Sequence, residues 1–101
     1  LIAVAGLSNG LGGALAANSA LPVISCPPFK DGVDLLLNLN SSLMMPSQVP
    51  AMTVVRPKEA ALAALRALNL PRLKDVFRAE IEAMKAGLRQ DDDEIREAAH
   101  A

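Results

Sequence analysis

Tryptophan and tyrosine are absent from this chain of 101 residues, which holds one histidine, His100, and one cysteine, Cys26. Without a tyrosine, chemistry that relies on a phenolic proton donor is excluded. A single thiol rules out an internal disulfide, and one His with one Cys lacks the companions a structural zinc site needs. A reducing cytoplasmic setting fits, and a protein-built metal site does not. Neither sign of charge dominates, with 10 Lys and Arg against 11 Asp and Glu. No basic run points to nucleic acid or to an anionic membrane surface. The apolar runs fall short of the roughly 20 residues of a membrane span, and no signal-peptide pattern is present. The expectation is a soluble chain whose partners are small molecules or other subunits. At this length, with 51% hydrophobic residues, one domain is the ceiling and part of one is possible.

The residues that are present alternate between strand and helix patterns. Leu1 to Ala5 is an apolar, strand-like run with no initiator methionine before it. The expectation is therefore that the chain begins inside a longer protein. A small, Gly-rich segment from Leu7 to Gly13 then leads into the helix-favouring Ala14 to Ala17. Pro22 to Cys26 reads as a second strand stopped by Pro27 and Pro28, whose missing N–H groups bar further sheet pairing.

Val33 to Met44 is apolar nearly all round and predicts a buried helix, shared with another subunit if the chain assembles, with Asp31 as its cap. Ala51 to Val55 predicts a third strand. Pro57 suits a first helical position, and Leu62, Leu65 and Leu68 repeat at helical spacing until Asn69 and Pro71. Leu73, Val76, Phe77, Ile81, Met84 and Leu88 form a further amphipathic stripe, and Asp91 to Glu94 suit the start of one more exposed helix. The alternation predicts an α/β fold with parallel strands, right-handed crossovers and helices on both faces. In such sheets ligands bind beyond the carboxyl ends of the strands, which singles out Gly6 to Gly13 and Ser25 to Lys30.

Gly6-Leu7-Ser8-Asn9-Gly10-Leu11-Gly12 sets glycines and short polar side chains where unpaired N–H groups and a helix dipole attract anions. A turn capped by Ser8 or Asn9 explains the same residues, and both readings are compatible. A dinucleotide-binding turn of a short-chain dehydrogenase, using NAD, is an alternative. It lacks the required tyrosine, and Leu15 stands where a third glycine is needed. Cys26 reads as a buried structural thiol. Lys30 and Asp31 could close over a nucleotide or form a solvated pair, and Arg56 carries the same two readings. His100, next to the last residue, is not a catalytic candidate.

Val4 to Gly12, Pro22 to Pro28 and Met45-Pro46-Ser47-Gln48-Val49-Pro50 together resemble, in order and spacing, the aminoimidazole ribonucleotide (AIR) carboxylase family. The third segment departs from it where Gln48 replaces a frequent glycine, and Leu7 replaces an arginine of animal members. The resemblance covers the whole chain, 1–101, as the C-terminal part of a single AIR carboxylase domain. It implies a flavodoxin-like three-layer αβα sandwich with a parallel sheet, lacking here its N-terminal strands. It further implies a cytoplasmic octamer in purine biosynthesis that joins AIR and CO2 without an organic cofactor or metal.

By the same resemblance Ser8 binds CO2, Asn9, Gly10, Leu11 and Gly12 complete the substrate cradle, and Ser25, Cys26, Pro27 and Lys30 form a site wall. The family's proton-moving His and its phosphate-binding Ser and Asp are not among these residues, so the segment alone is expected to be inactive. The family has two branches, one using CO2 directly and one rearranging an N5-carboxylated nucleotide. Ser8 to Gly12 and Ser25 to Pro28 resemble the direct branch, where the other carries Ala-Ala-His-Leu-Pro-Gly. A non-catalytic alternative leaves the apolar helices as an assembly segment only, and the faces of Val33 to Met44 and Leu73 to Leu88 are expected to join subunits.

Overall fold

The computed structural model describes residues 1–6 and 10–101. Its elements follow in the order β1 (Ile2–Ala3), α1 (Gly10–Asn18), β2 (Ile24–Ser25), α2 (Gly32–Leu43), β3 (Met52–Thr53), α3 (Pro57–Ala67) and α4 (Pro71–His100). The strands form a parallel sheet in the order β1-β2-β3, with Ile2 opposite Ile24, Ala3 opposite Ser25, Ile24 opposite Met52 and Ser25 opposite Thr53. Each strand is shorter than its apolar run. The slanted ladder of parallel pairing nevertheless reaches past them, since Cys26 N–H donates to Ala3 O at 2.8 Å and Val54 N–H to Ser25 O at 3.0 Å.

Alternation along β2 decides the two layers around the sheet. Ile24 and Cys26 point to one face, where they meet Ala60 of α3 together with Val54, Ala63 and Ala64. Val23, Ser25 and Pro27 point to the other face and are, with Cys26 and Ser42, the largest fully buried side chains described. Because successive strands are added in one direction, right-handed crossovers put α1 and α2 together on that second face. Gly13 of α1 lies there beside the connection after α2, its Cβ position 3.6 Å from Met45 Sδ.

Three helices differ from expectation. Helix α2 has its predicted cap, Asp31 Oδ1 accepting from Asp34 N–H at 2.8 Å, but it is not buried by its leucines. Its buried residues are Asn38 and Ser42, while Val33, Leu36, Leu37, Leu43 and Met44 are exposed, Met44 at 81%. The small polar pair, four residues apart, lets the helix approach closely. Ser42 Oγ donates to the Asn38 carbonyl at 3.0 Å, so the hydroxyl is enclosed without being orphaned. Helix α3 likewise turns alanines inward, Ala60 at 0% exposure, and leaves Leu65 and Leu68 outside.

The expected break before Asp91 is absent, and α4 runs unbroken from Pro71 to His100. Arg96 bridges Asp92 at 3.0 Å and Gln90 bonds Glu94 at 3.1 Å, so these acidic residues brace a helix interior rather than start a new helix. Asn69, at φ 53°, supplies the left-handed residue that ends α3. The chain forms two compact units, Leu1–Leu68 and Asn69–Ala101, and α4 makes up most of the second. Among the described residues no helix is long and apolar enough to cross a membrane.

Candidate functional site

The carboxyl ends of β1 and β2 open onto a cleft of about 460 Å³ lined by Gly6, Pro28, Phe29, Lys30, Asp34 and Asn38. A roomier hollow at the amino ends of β2 and β3 carries no titratable side chain, its polar lining being Ser19 and Gln48. The first cleft carries Lys30 and Asp34 and lies where parallel sheets bind ligands. Gly6 forms its floor, a Cβ there falling 3.6 Å from Pro28 Cγ and 3.9 Å from Asn38 Nδ2.

Asn38 holds the opposite side. Its Nδ2 donates to the Pro28 carbonyl at 2.7 Å, fixing the turn that two prolines have already stiffened. Lys30 N–H donates to Asp34 Oδ2 at 3.1 Å, which folds the loop back on the first turn of α2. The two helix N-termini near the strand ends differ in charge. That of α2 is occupied by its own Asp31 and Asp34, whereas α1 has no acidic residue in its first turn. The N–H groups of Gly10, Leu11 and Gly12 thus open a helix with no carboxylate of its own there.

The site expectations divide accordingly. Ser8 and Asn9, with Leu7, lie outside the described residues. Gly10, Leu11 and Gly12 form the first turn of α1, Gly12 buried and Leu11 half exposed. Of the four wall residues, Lys30 is exposed at the cleft, but the side chains of Ser25, Cys26 and Pro27 are enclosed by the chain and contribute the backbone turn instead. Arg56 is the N-cap of α3 and makes no side-chain cap bond, and His100 is exposed at the end of α4. Sequence reading missed Asn38 and Asp34. The available signal was Asn38 and Ser42 sharing one face of a leucine-rich helix.

Cys26 is buried, with Sγ 3.7 Å from the Val55 carbonyl, and desolvation raises its thiol pKa above the ordinary value. The folded state therefore holds the proton more tightly than the unfolded chain does. That contribution is full below the unfolded pKa and is lost as pH rises through the folded one. Alkylation of the native chain at neutral pH is expected to be slow and to quicken sharply on adding denaturant. Equal rates in the two conditions would show an accessible thiol.

The profile of the AIR carboxylase family matches residues 1–91. The chain belongs to the AIR carboxylase family. It is 40% identical over 100 residues to a human bifunctional phosphoribosylaminoimidazole carboxylase/phosphoribosylaminoimidazole succinocarboxamide synthetase, covering 95% of this chain and 23% of that protein. A probable multifunctional protein ADE2 of Caenorhabditis elegans is 53% identical over 68 residues, covering 67% of this chain and 16% of that protein. An N5-carboxyaminoimidazole ribonucleotide mutase of Pyrococcus horikoshii is 38% identical over 89 residues, covering 84% of this chain and 50% of that protein. The chain thus spans half or less of the length of each. Its parallel α/β architecture is the flavodoxin-like fold of the AIR carboxylase family, and that membership removes the dehydrogenase alternative.

Proposed function

We propose that this chain supplies part of the site at which AIR is carboxylated by CO2 in purine biosynthesis, in a cytoplasmic homo-oligomer of octameric size. The observation that carries the reading is the first turn of α1, free of carboxylates, beginning directly after Ser8-Asn9 in a Ser-Asn-Gly-Leu-Gly motif.

In the reaction C4 of the aminoimidazole attacks the carbon of CO2. As that bond forms, one C=O pair moves to oxygen to give a carboxylate, and the C4 proton leaves to a base. The ring is itself an enamine-like nucleophile, so the protein's main tasks are to hold CO2 in line and to stabilise the new anion. N–H groups at the start of α1 suit the second task, the Ser8 hydroxyl suits the first, and Gly6 keeps the cleft floor open. The proton-accepting base is not assigned to any residue of this chain, and no metal or organic cofactor enters the step.

The mutase relative supports a second reading, in which an N5-carboxylated nucleotide is rearranged. The direct reading is favoured because the turn offers a hydroxyl, an amide and bare N–H donors where the rearranging branch has an imidazole. The complete protein is expected to convert AIR and bicarbonate without ATP. Efficient conversion of only the N5-carboxylated nucleotide, with released CO2 trapped, would establish the second reading instead. Ser8→Ala in the complete protein should lower kcat/KM for CO2 about 10-fold or more, and unchanged kinetics at limiting bicarbonate would reduce Ser8 to a cap.

A further inference from the structure

We propose that the hollow at the amino ends of β2 and β3 binds a small organic cation, an ammonium or guanidinium group carried on a short alkyl stem. It lies at the opposite end of the sheet from the cleft of Lys30 and Asp34 and measures about 670 Å³, a volume typical of small-molecule sites. Its lining has two parts. Leu21, Pro22, Pro50 and Met52 give apolar walls, while polar groups come from Ser19, Gln48 and the last turn of α1, through Ala16 and Ala17.

The last turn of α1 decides the sign of the ligand. A helix leaves its final four carbonyls without intrahelical donors, and together they carry about half a negative elementary charge. In α1 these belong to Leu15, Ala16, Ala17 and Asn18. Helices commonly cover such carbonyls with a left-handed residue just past the end or with a basic side chain in the last turn, and α1 has neither. Its last turn holds no basic residue, and among the described residues only Gln48 and Asn69 have left-handed backbone. The neighbouring polar side chains are turned elsewhere. Asn18 Nδ2 donates back to Ala14 O at 2.8 Å, and Ser19 Oγ accepts from Leu21 N–H at 3.1 Å. No described backbone N–H beyond the helix reaches the four carbonyls.

The hollow therefore gathers acceptors, and neither Lys nor Arg is among the residues that line it. An anion finds no partner there. An alkyl ammonium meets both parts of the lining, its N–H donors serving the carbonyl end of α1 and the Gln48 amide oxygen, and its stem covering the exposed Leu21 and Met52. The Gln48 backbone, at φ 65°, is one that glycine adopts without steric cost, so its amide can be removed without disturbing the turn.

The site is independent of the carboxylase reading, and its test is titration of the full chain with butylammonium, followed by amide NMR shifts. Saturable shifts should centre on Ala16, Ala17, Ser19 and Gln48, and the affinity should fall as salt is raised. Butanol and butyrate should bind about 10-fold or more weakly, because neither offers a cation to the helix end. Gln48→Gly should weaken butylammonium about 10-fold by removing one acceptor of a charged group. Ala17→Lys, which puts the chain's own cation on the helix end, should weaken it at least as much. Ala17→Met adds similar bulk without charge and should stay within about threefold of the parent. Ala17 and Gln48 are both exposed, so each variant should keep the amide spectrum of the folded parent. Equal binding of butanol would show an apolar hollow only, and equal losses in Ala17→Lys and Ala17→Met would show simple crowding. Either result, or shifts that are absent or centred elsewhere, would overturn the proposal.

Discussion

Ile24→Ala is expected to cost about 2–5 kcal/mol of folding stability, the range for deleting most of a buried isoleucine when the neighbours only partly collapse. Ile24 is 5% exposed at the centre of the middle strand, and its face carries the small cluster with Cys26 and Ala60. The neighbours that would have to refill the space are mainly Ala60, Ala63 and Ala64, whose single methyl groups have no reach. The loss should therefore fall in the upper part of the range. Against a total of about 5–15 kcal/mol for an ordinary domain it would unfold a substantial fraction of the chain. Ile24→Val, which keeps the branched shape, should cost only about 0.5–1.5 kcal/mol. Urea unfolding followed by far-ultraviolet circular dichroism measures both. A cost below about 1 kcal/mol for the alanine variant would mean that the layer between sheet and α3 is not tightly packed.

Asn38→Leu should lose about 1–3 kcal/mol, because the Pro28 carbonyl would be left facing an apolar side chain. Asn38 is 5% exposed, and its 2.7 Å bond to Pro28 ties the middle of α2 to the cleft turn, beside the Lys30 N–H to Asp34 bond at the first turn of α2. The consequence extends to the site. With the turn held to α2 only through Lys30 and Asp34, Pro28 and Phe29 can shift relative to Gly6, so under the proposed function the KM for the nucleotide should rise more than kcat falls in the complete protein. Asn38→Asp preserves shape but aims a carboxylate at the same carbonyl, and its stability should be no better than that of the leucine variant. A fully stable Asn38→Leu variant with unchanged KM would remove Asn38 from any positioning role.

The order of strands and helices was legible because Gly, Pro and Asx residues punctuate each apolar run, and caps such as Asp31 and Pro57 sit where helix ends need them. The faces of the helices were not. Apolar side chains such as Leu36 and Leu37 pointed to a buried α2, whereas close packing is made by Asn38, Ser42, Ala60 and Ala64, whose small volume only the third dimension rewards. In α4 the run Asp91 to Glu94 read as a start because carboxylates favour helix N-termini, but the same residues pair one turn away inside a continuing helix. The phosphate-loop-like turn, read from its glycines and its likeness to a family, falls in part on Leu7, Ser8 and Asn9, outside the described residues. The cleft wall was not legible, because Asn38 reaches it from the next element across a distance of ten residues.

The enclosed thiol has a practical meaning for watching this protein open. With no indole or phenol in the chain, it is almost dark in the near ultraviolet and gives no tryptophan signal on unfolding. Cys26 directly follows the middle strand and packs against Ala60 of α3, so a reagent reaches it only when that layer parts. Its labelling rate, measured under native conditions against denaturant, reads the free energy of that opening event when reclosing outpaces labelling, and the opening rate itself when it does not. A single native thiol is thus a stopwatch for the breathing of the sheet.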